Sequence, residues 1–232
     1  MLFGAAYRAF FVSDKVSITM RFLRLASFLT FSCTLATAAD PGWVDLFNKH
    51  NLDGWQVVGD GIWYVMSDGT LVGERDQENS HEQSWLYTTR NDFDQFDLRA
   101  EYWLRFDGNS GISIRDSSRA RFAVPPDYDP KRTPSHIGYE IQLLNHGGDP
   151  FHTGSVYLFH HAKDGALREH DWNTIEIQSR HSGIKVLLNG QLVSESAGDP
   201  ARPLQGPIGI QLHDRATVIM LKSIEIRELR PH

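Results

Sequence analysis

Eight side chains able to hydrogen-bond or stack fall on one parity of four short alternating segments. In Phe96–Phe106, Glu101, Trp103 and Arg105 oppose Phe96, Leu98, Ala100, Tyr102, Leu104 and Phe106. In Gly111–Arg115, Arg115 opposes Ile112 and Ile114; in Gly138–Leu144, Glu140 and Gln142 oppose Tyr139, Ile141 and Leu143. In Gly206–His213, Gln211 and His213 oppose Ile208, Ile210 and Leu212. Successive side chains of a strand point to opposite faces, so each segment buries one set and presents the other. The presented set contains no Lys. It consists of planar donors and acceptors, a histidine and an indole. Planar groups pair with the hydroxyls of a sugar, and an indole stacks on the apolar face of a pyranose. A few such groups converging in a hollow make a ligand site. The competing reading is a solvated sheet face crossed by surface ion pairs.

The elements that must position these residues are short strands. Alternation and turn chemistry predict Trp55–Val58, Ile62–Met66, Thr70–Gly73, Ser84–Thr88, Phe96–Phe106, Gly111–Arg115, Gly138–Leu144, Ser155–Phe159, Thr174–Ser179, Ile184–Leu188, Gln191–Glu195, Gly206–His213 and Thr217–Leu229. Asp68-Gly69 and Asn189-Gly190 supply hairpin turns, because these pairs tolerate the positive φ of two-residue loops. No long window carries a helical stripe. Many short strands with turns between them indicate an all-β sandwich of antiparallel sheets or a barrel. One segment breaks the rhythm: Asp116 to His136 holds Pro125, Pro126, Pro130 and Pro134. A loop this long inside a compact domain is usually functional or mobile.

The chain has 232 residues, 41% hydrophobic, with a net charge of −6 and no long run of either sign. That charge disfavours a nucleic-acid binder and fits a neutral or polar ligand. The first 39 residues read differently from the rest. Met20, Arg21 and Arg24 precede the apolar run Leu25–Leu35 and the small-residue stretch Ala36-Thr37-Ala38, the three parts of a secretory signal. We expect cleavage near Ala38-Ala39, export to the periplasm or the outside, and one domain over residues 40–232. The membrane enters only as the route of export. Cleavage removes four basic residues and one acidic one, taking the net charge to −9, and it removes Cys33, the single cysteine. The mature chain then has no disulfide and no thiol nucleophile.

A series of short motifs resembles the 3-keto-disaccharide hydrolase domain family. The series comprises Leu46-Phe47-Asn48 with Leu52-Asp53-Gly54-Trp55, Phe96-Asp97-Leu98 with Glu101, and Asn109-Ser110-Gly111-Ile112 with Arg115. It continues through Tyr139-Glu140-Ile141-Gln142, Thr153-Gly154, Trp172-Asn173, Leu188-Asn189-Gly190 and Gly206 to His213. The matches run in order from Trp43 to Leu229. The resemblance implies a concanavalin-like jelly roll related to laminarinase-type glucanases and lectins, with the ligand on one sheet. It also implies cleavage of oligosaccharides or keto-sugars oxidised at carbon 3. Two positions depart from the family pattern: Asp214 replaces a glycine after His213, and Leu144-Asn145 replaces an acidic residue after Gln142.

The implied reaction has a simple physical basis. A ketone at carbon 3 acidifies the hydrogen on carbon 2, a base removes it, and the glycosidic oxygen leaves carbon 1. The reaction needs a base, a group to hold the enolate and an acid for the leaving oxygen. His213 or Glu140 is the expected base, and Arg115 the enolate partner. Asn109 and Gln142 orient the substrate, Glu101 is the acid, and Trp103 and Gln211 complete the binding set. Two other readings compete. A conventional glycosidase would pair Glu101 with Glu140 across the bond, and a non-catalytic carbohydrate-binding module would use the same face without turnover. A serine hydrolase is excluded, since Asn109-Ser110-Gly111 lacks the nucleophile-elbow spacing. No His-Glu-x-x-His spacing occurs among the 11 His. The sequence predicts no cofactor, while leaving room for calcium or another divalent metal on Asp, Asn and backbone oxygens.

Overall fold

Apolar alternation pairs the strands into two antiparallel sheets that close over one shared core. The structure is a computed structural model describing residues 42–76, 83–145 and 148–229. The expected leader and its cleavage site lie outside the described residues. Thirteen strands are described: β1 (Val44–Asp45), β2 (Trp55–Val58), β3 (Ile62–Val65), β4 (Leu71–Glu74), β5 (Ser84–Thr88), β6 (Phe96–Leu104) and β7 (Asn109–Ile114). They continue as β8 (Tyr139–Leu144), β9 (Asn173–Arg180), β10 (Gly183–Leu188), β11 (Gln191–Ala197), β12 (Ile208–Leu212) and β13 (Val218–Glu228). The larger sheet runs β11-β10-β9-β6-β13-β4-β3, with β1 also on β13; the smaller runs β2-β5-β12-β7-β8. The result is an all-β jelly-roll sandwich of two antiparallel sheets.

The inner faces carry the residues that parity assigned to them except Phe106, which lies beyond the end of β6 and is 48% exposed. Leu98, Ala100, Tyr102 and Leu104 of β6 meet Ile112 and Ile114 of β7, Ile141 and Leu143 of β8, and Ile208, Ile210 and Leu212 of β12 in one buried cluster. Each such side chain contributes roughly 1.5–3 kcal/mol through burial. In β13 the apolar positions change parity, from Ile219 and Leu221 to Ile224 and Ile226. The pairing with β6 shifts between Leu221 and Ser223, and this one-residue bulge keeps both halves of the strand facing the core.

One expected strand is absent. Ser155–Phe159 is not a strand but a series of turns joined by single bridges of Val156 to Ile141 and His160. Leu158 within it has φ of 70°, which breaks extended backbone. Trp85 of β5 is buried, but not between the sheets. It joins Tyr87 on the outer face of the smaller sheet, beneath Ala120 and Ala123 of the long loop.

Candidate functional site

The outer face of the smaller sheet carries the polar parity set of three strands side by side. Cross-strand register places Gly209 of β12 opposite Ser113 of β7 and Tyr87 of β5. Gln211 lies opposite Trp85, Glu140 of β8 opposite Ser113, and Gln142 opposite Gly111. Trp85 and Tyr87 occupy one half of this face, and the loop following β7 packs over them. In the other half, a cavity of about 330 Å³ opens over Glu140, Gln142, Asn109, Gln211 and His213. Its remaining walls include Gln83, Tyr157 and Asp149, together with Tyr128, Pro130, Thr133, Ser135 and His136 from the long loop.

The loop is held down from below by one carboxylate. Asp116 is fully buried. Its Oδ2 accepts from the Tyr87 hydroxyl at 2.8 Å and the Ala120 N–H at 2.7 Å; its Oδ1 accepts from the Ser118 N–H at 2.9 Å and hydroxyl at 2.7 Å. Burial, then the charge of Asp116, push the Tyr87 phenol well above its ordinary range, so it remains a donor. Gly209 leaves room for that ring: a Cβ there would lie 2.5 Å from a Tyr87 ring carbon. At the far end, Arg202 donates to the carbonyls of Ser135 and Gly138, bracing the short helix α1 (Pro134–Ile137).

Glu140 forms the floor of the cavity and is 5% exposed. Burial raises its carboxyl from 4.5 to about 8; a hydrogen bond with Gln211 opposes the rise and the charge of Asp116 adds to it. Its own backbone is fixed by the Tyr157 N–H, which donates to the Glu140 carbonyl at 2.9 Å. The amides around it are partly committed. Gln142 Nε2 donates to Asn109 Oδ1 at 3.2 Å, and Gln211 Nε2 donates to Gln83 Oε1 at 3.2 Å. Gln211 Oε1 is buried without a partner, an acceptor matched to a ligand hydroxyl. At the mouth, His136 shares a hydrogen bond of 2.8 Å between Nδ1 and Thr133 Oγ1. Its pKa is lowered by burial and then by Arg202, which favours a neutral imidazole. The Tyr157 phenol is raised by burial and by the carboxylates Glu140 and Asp149. Among the described residues, no group of three or more His, Cys, Asp or Glu side chains is placed to hold a metal. His146, one of the 11 His, lies outside the described residues.

Gly111 explains how the carboxyl fits. A Cβ at this position would lie 2.4 Å from Glu140 Oε1 and 2.9 Å from its Cγ. The carboxyl would have to swing off the strand into the cavity that it lines. Gly111→Ala is therefore expected to cut turnover about 10²-fold through misplacement of Glu140, while the thermal midpoint moves little. Steady-state kinetics beside a melting curve checks both halves, and unaltered kinetics would show that the carboxyl position is not critical.

Glu140, Gln142, Asn109, Gln211 and His213 come together as expected. Glu101, Trp103 and Arg105 do not. Parity within β6 was read correctly, but β6 belongs to the other sheet, so its polar face looks outward on the opposite side of the sandwich. There Glu101 pairs with Lys222 at 3.0 Å, and Arg105 pairs with Asp107 at 2.7 Å. Paired sheets lie about 10 Å apart, and Glu101 and Glu140 point away from each other across them. The carboxylate pair of a conventional glycosidase is therefore ruled out for these two residues, and Glu101 cannot act as the acid. Arg115 is also misplaced by parity. It follows the end of β7 with φ of 61°, and this turn in the backbone sends its guanidinium toward the Tyr139 ring, with Nη2 donating to the Arg180 carbonyl at 3.0 Å. It is buried away from the cavity and cannot hold an enolate there.

Residues 42–227 match the domain family described as 3-keto-alpha-glucoside-1,2-lyase-like. No curated protein matches the chain. Among solved structures, a candidate glycosyl hydrolase from Parabacteroides distasonis ATCC 8503 superposes with a TM-score of 0.61 at 23% identity, covering 81% of this chain and 99% of its own. A second from the same organism gives 0.62 at 19% identity, with coverage of 82% and 95%. A protein of unknown function with a galectin-like fold from Bacillus subtilis gives 0.56 at 11% identity, with coverage of 80% and 94%. At these identities the structural likeness is one of fold.

Proposed function

The chain belongs to the 3-keto-alpha-glucoside-1,2-lyase-like domain family, and from that premise we propose that it cleaves 3-keto-glycosides by elimination, with Glu140 as the base. The observation that carries this reading is a carboxyl on the floor of a polar cavity whose pKa is raised to about 8 by burial. A carbon acid requires a strong base, and burial makes a carboxylate a stronger one.

The steps balance without an oxidant. Glu140 takes the proton from carbon 2, and the C–H electrons form the enolate across carbons 2 and 3. The enolate collapses to a carbon 1–carbon 2 double bond and expels the glycosidic oxygen, which leaves protonated as an alcohol. Elimination alone is the lyase reaction; addition of water to the enone completes net hydrolysis. With Arg115 elsewhere, the enolate oxygen falls to neutral donors, the amides of Gln142, Asn109 and Gln211. His213 stands at the rim, where the leaving oxygen meets solvent, and serves as the acid.

The direct test offers the protein 3-keto and unmodified disaccharides in deuterated water. Deuterium at carbon 2 of recovered keto substrate, with release of the aglycone, is the expected result. Cleavage of unmodified sugars alone would overturn the reading. A second reading, a carbohydrate-binding module, is favoured by one observation: the described cavity lining holds many amides and no arginine or lysine to stabilise an anion. Saturable binding with no deuterium exchange and no turnover would select it.

A further inference from the structure

A second cavity, of about 550 Å³, adjoins the first, and Asp149 lines both. Strand β8 passes the two in succession: Glu140 and Gln142 line the first, Leu144 and the following Asn145 the second. Alternate residues of a strand share a face and advance by about 6.6 Å, so the second cavity begins roughly one sugar ring beyond Gln142.

Part of its floor is preorganised by hydrogen bonds. Thr153 Oγ1 donates to Asn145 Oδ1 at 3.0 Å, the Leu144 N–H donates to Thr153 Oγ1 at 2.9 Å, and Asn145 Nδ2 donates to the Leu104 carbonyl at 3.3 Å. The charged groups of the lining add to it. There His152 Nε2 stands 3.1 Å from Asp164 Oδ1, with Lys163 and Glu169 beside them and Asp149 at the junction. Among the described residues, no aromatic ring other than that of His152 lines this cavity, so an aryl group finds little there to stack on. Carboxylates accept from neighbouring hydroxyls of a sugar, and three of them against one lysine repel an anion.

We propose that this second cavity is the subsite for the departing half of the substrate, and that it takes an uncharged, hydroxyl-rich sugar rather than an aryl or uronic-acid group. The assignment rests on the keto-glycoside reading of the first cavity. It makes the substrate a disaccharide or longer chain, bound along β8 with the oxidised ring over Glu140.

The test uses two substrates that share the oxidised ring: a 3-keto disaccharide with a glucose aglycone, and p-nitrophenyl 3-ketoglucoside. Lys163 and Asp164 are exposed, so the double variant Lys163→Ala, Asp164→Asn should fold. The ratio of kcat/KM for the disaccharide to that for the aryl glycoside is expected to fall about tenfold, through KM. An unchanged ratio overturns the subsite. If the wild type turns over neither keto-glycoside, the catalytic reading fails and binding decides the subsite separately. Calorimetry would then compare an unoxidised disaccharide with methyl glucoside on both proteins. A disaccharide advantage of about tenfold that the double variant loses upholds the subsite; no advantage in the wild type overturns it.

Discussion

Glu140→Gln is expected to remove nearly all turnover and, at the same time, to make the protein harder to unfold at alkaline pH. The two effects have one cause. The carboxyl is buried and carries its proton up to about pH 8, whereas the same group titrates near 4.5 when ordinary. Below pH 4.5 both folded and unfolded chains hold the proton, and the group does not distinguish them. Between 4.5 and about 8 the unfolded chain has released a proton that the folded chain retains, so stability declines as pH rises across this window. Above it, the folded protein carries a buried carboxylate at a cost of roughly 5 kcal/mol at most. Glutamine has nearly the same shape and never ionises. The variant should therefore melt close to wild type at pH 4.5 and clearly above it at pH 9.

Activity should move the other way. Loss of a general base typically costs about 10²–10⁴-fold; with proton abstraction limiting the rate, so that His213 acts after it, kcat/KM of the wild type should rise with unit slope until about pH 8 and then level off. Glutamine removes that limb entirely. A wild-type profile that falls through pH 8 would mean that the protonated acid is the working form, with Glu140 donating to the enolate oxygen instead. Melting curves of wild type and variant that stay parallel from pH 5 to 9 would mean the carboxyl is not buried as described. A strained or desolvated active-site group that costs stability is a common compromise.

Much of this site was legible from alternation alone, because period-two patterning is a local property of a strand. Glu140, Gln142, Gln211 and His213 were placed on one face by their apolar neighbours, and they share it. Alternation does not say which sheet a strand joins. Glu101 and Trp103 oppose an apolar set as clean as that of β8, and they occupy the opposite outer face because β6 pairs with β9 and β13. Nor does parity survive a residue with positive φ: Arg115 continues the alternation of β7 in sequence, but the backbone turns there. His136 reaches the cavity from the four-residue helix α1, and Tyr128 and Tyr157 from irregular segments, none long enough to carry a period. The signal that could have found the first two was the proline-rich loop from Asp116 to His136, since so long a loop over a sheet face must cover something.

That loop bears the second large effect, on stability rather than chemistry. Asp116→Ala should lower stability by about 3–5 kcal/mol, because it strands the Tyr87 hydroxyl, two backbone N–H groups and the Ser118 hydroxyl without their acceptor. For a domain of this size the melting temperature should fall by roughly 10 °C. Tyr87→Phe removes a single donor and should cost only about 1 kcal/mol, which separates the network from simple loss of packing. The loss should be local before it is global. Ala120 and Ala123 pack on Trp85 and Tyr87 through this anchor, so protease should cut Asp116→Ala first between residues 116 and 136. Because Thr133, Ser135 and His136 then leave the cavity wall, KM should rise more than kcat falls. A variant that melts within about 2 °C of wild type and resists protease would mean the loop is held by Arg119 and Arg202, which bind carbonyls of residues 88–90 and of Ser135 and Gly138. The carboxylate would then be a passenger in a loop braced from its flanks.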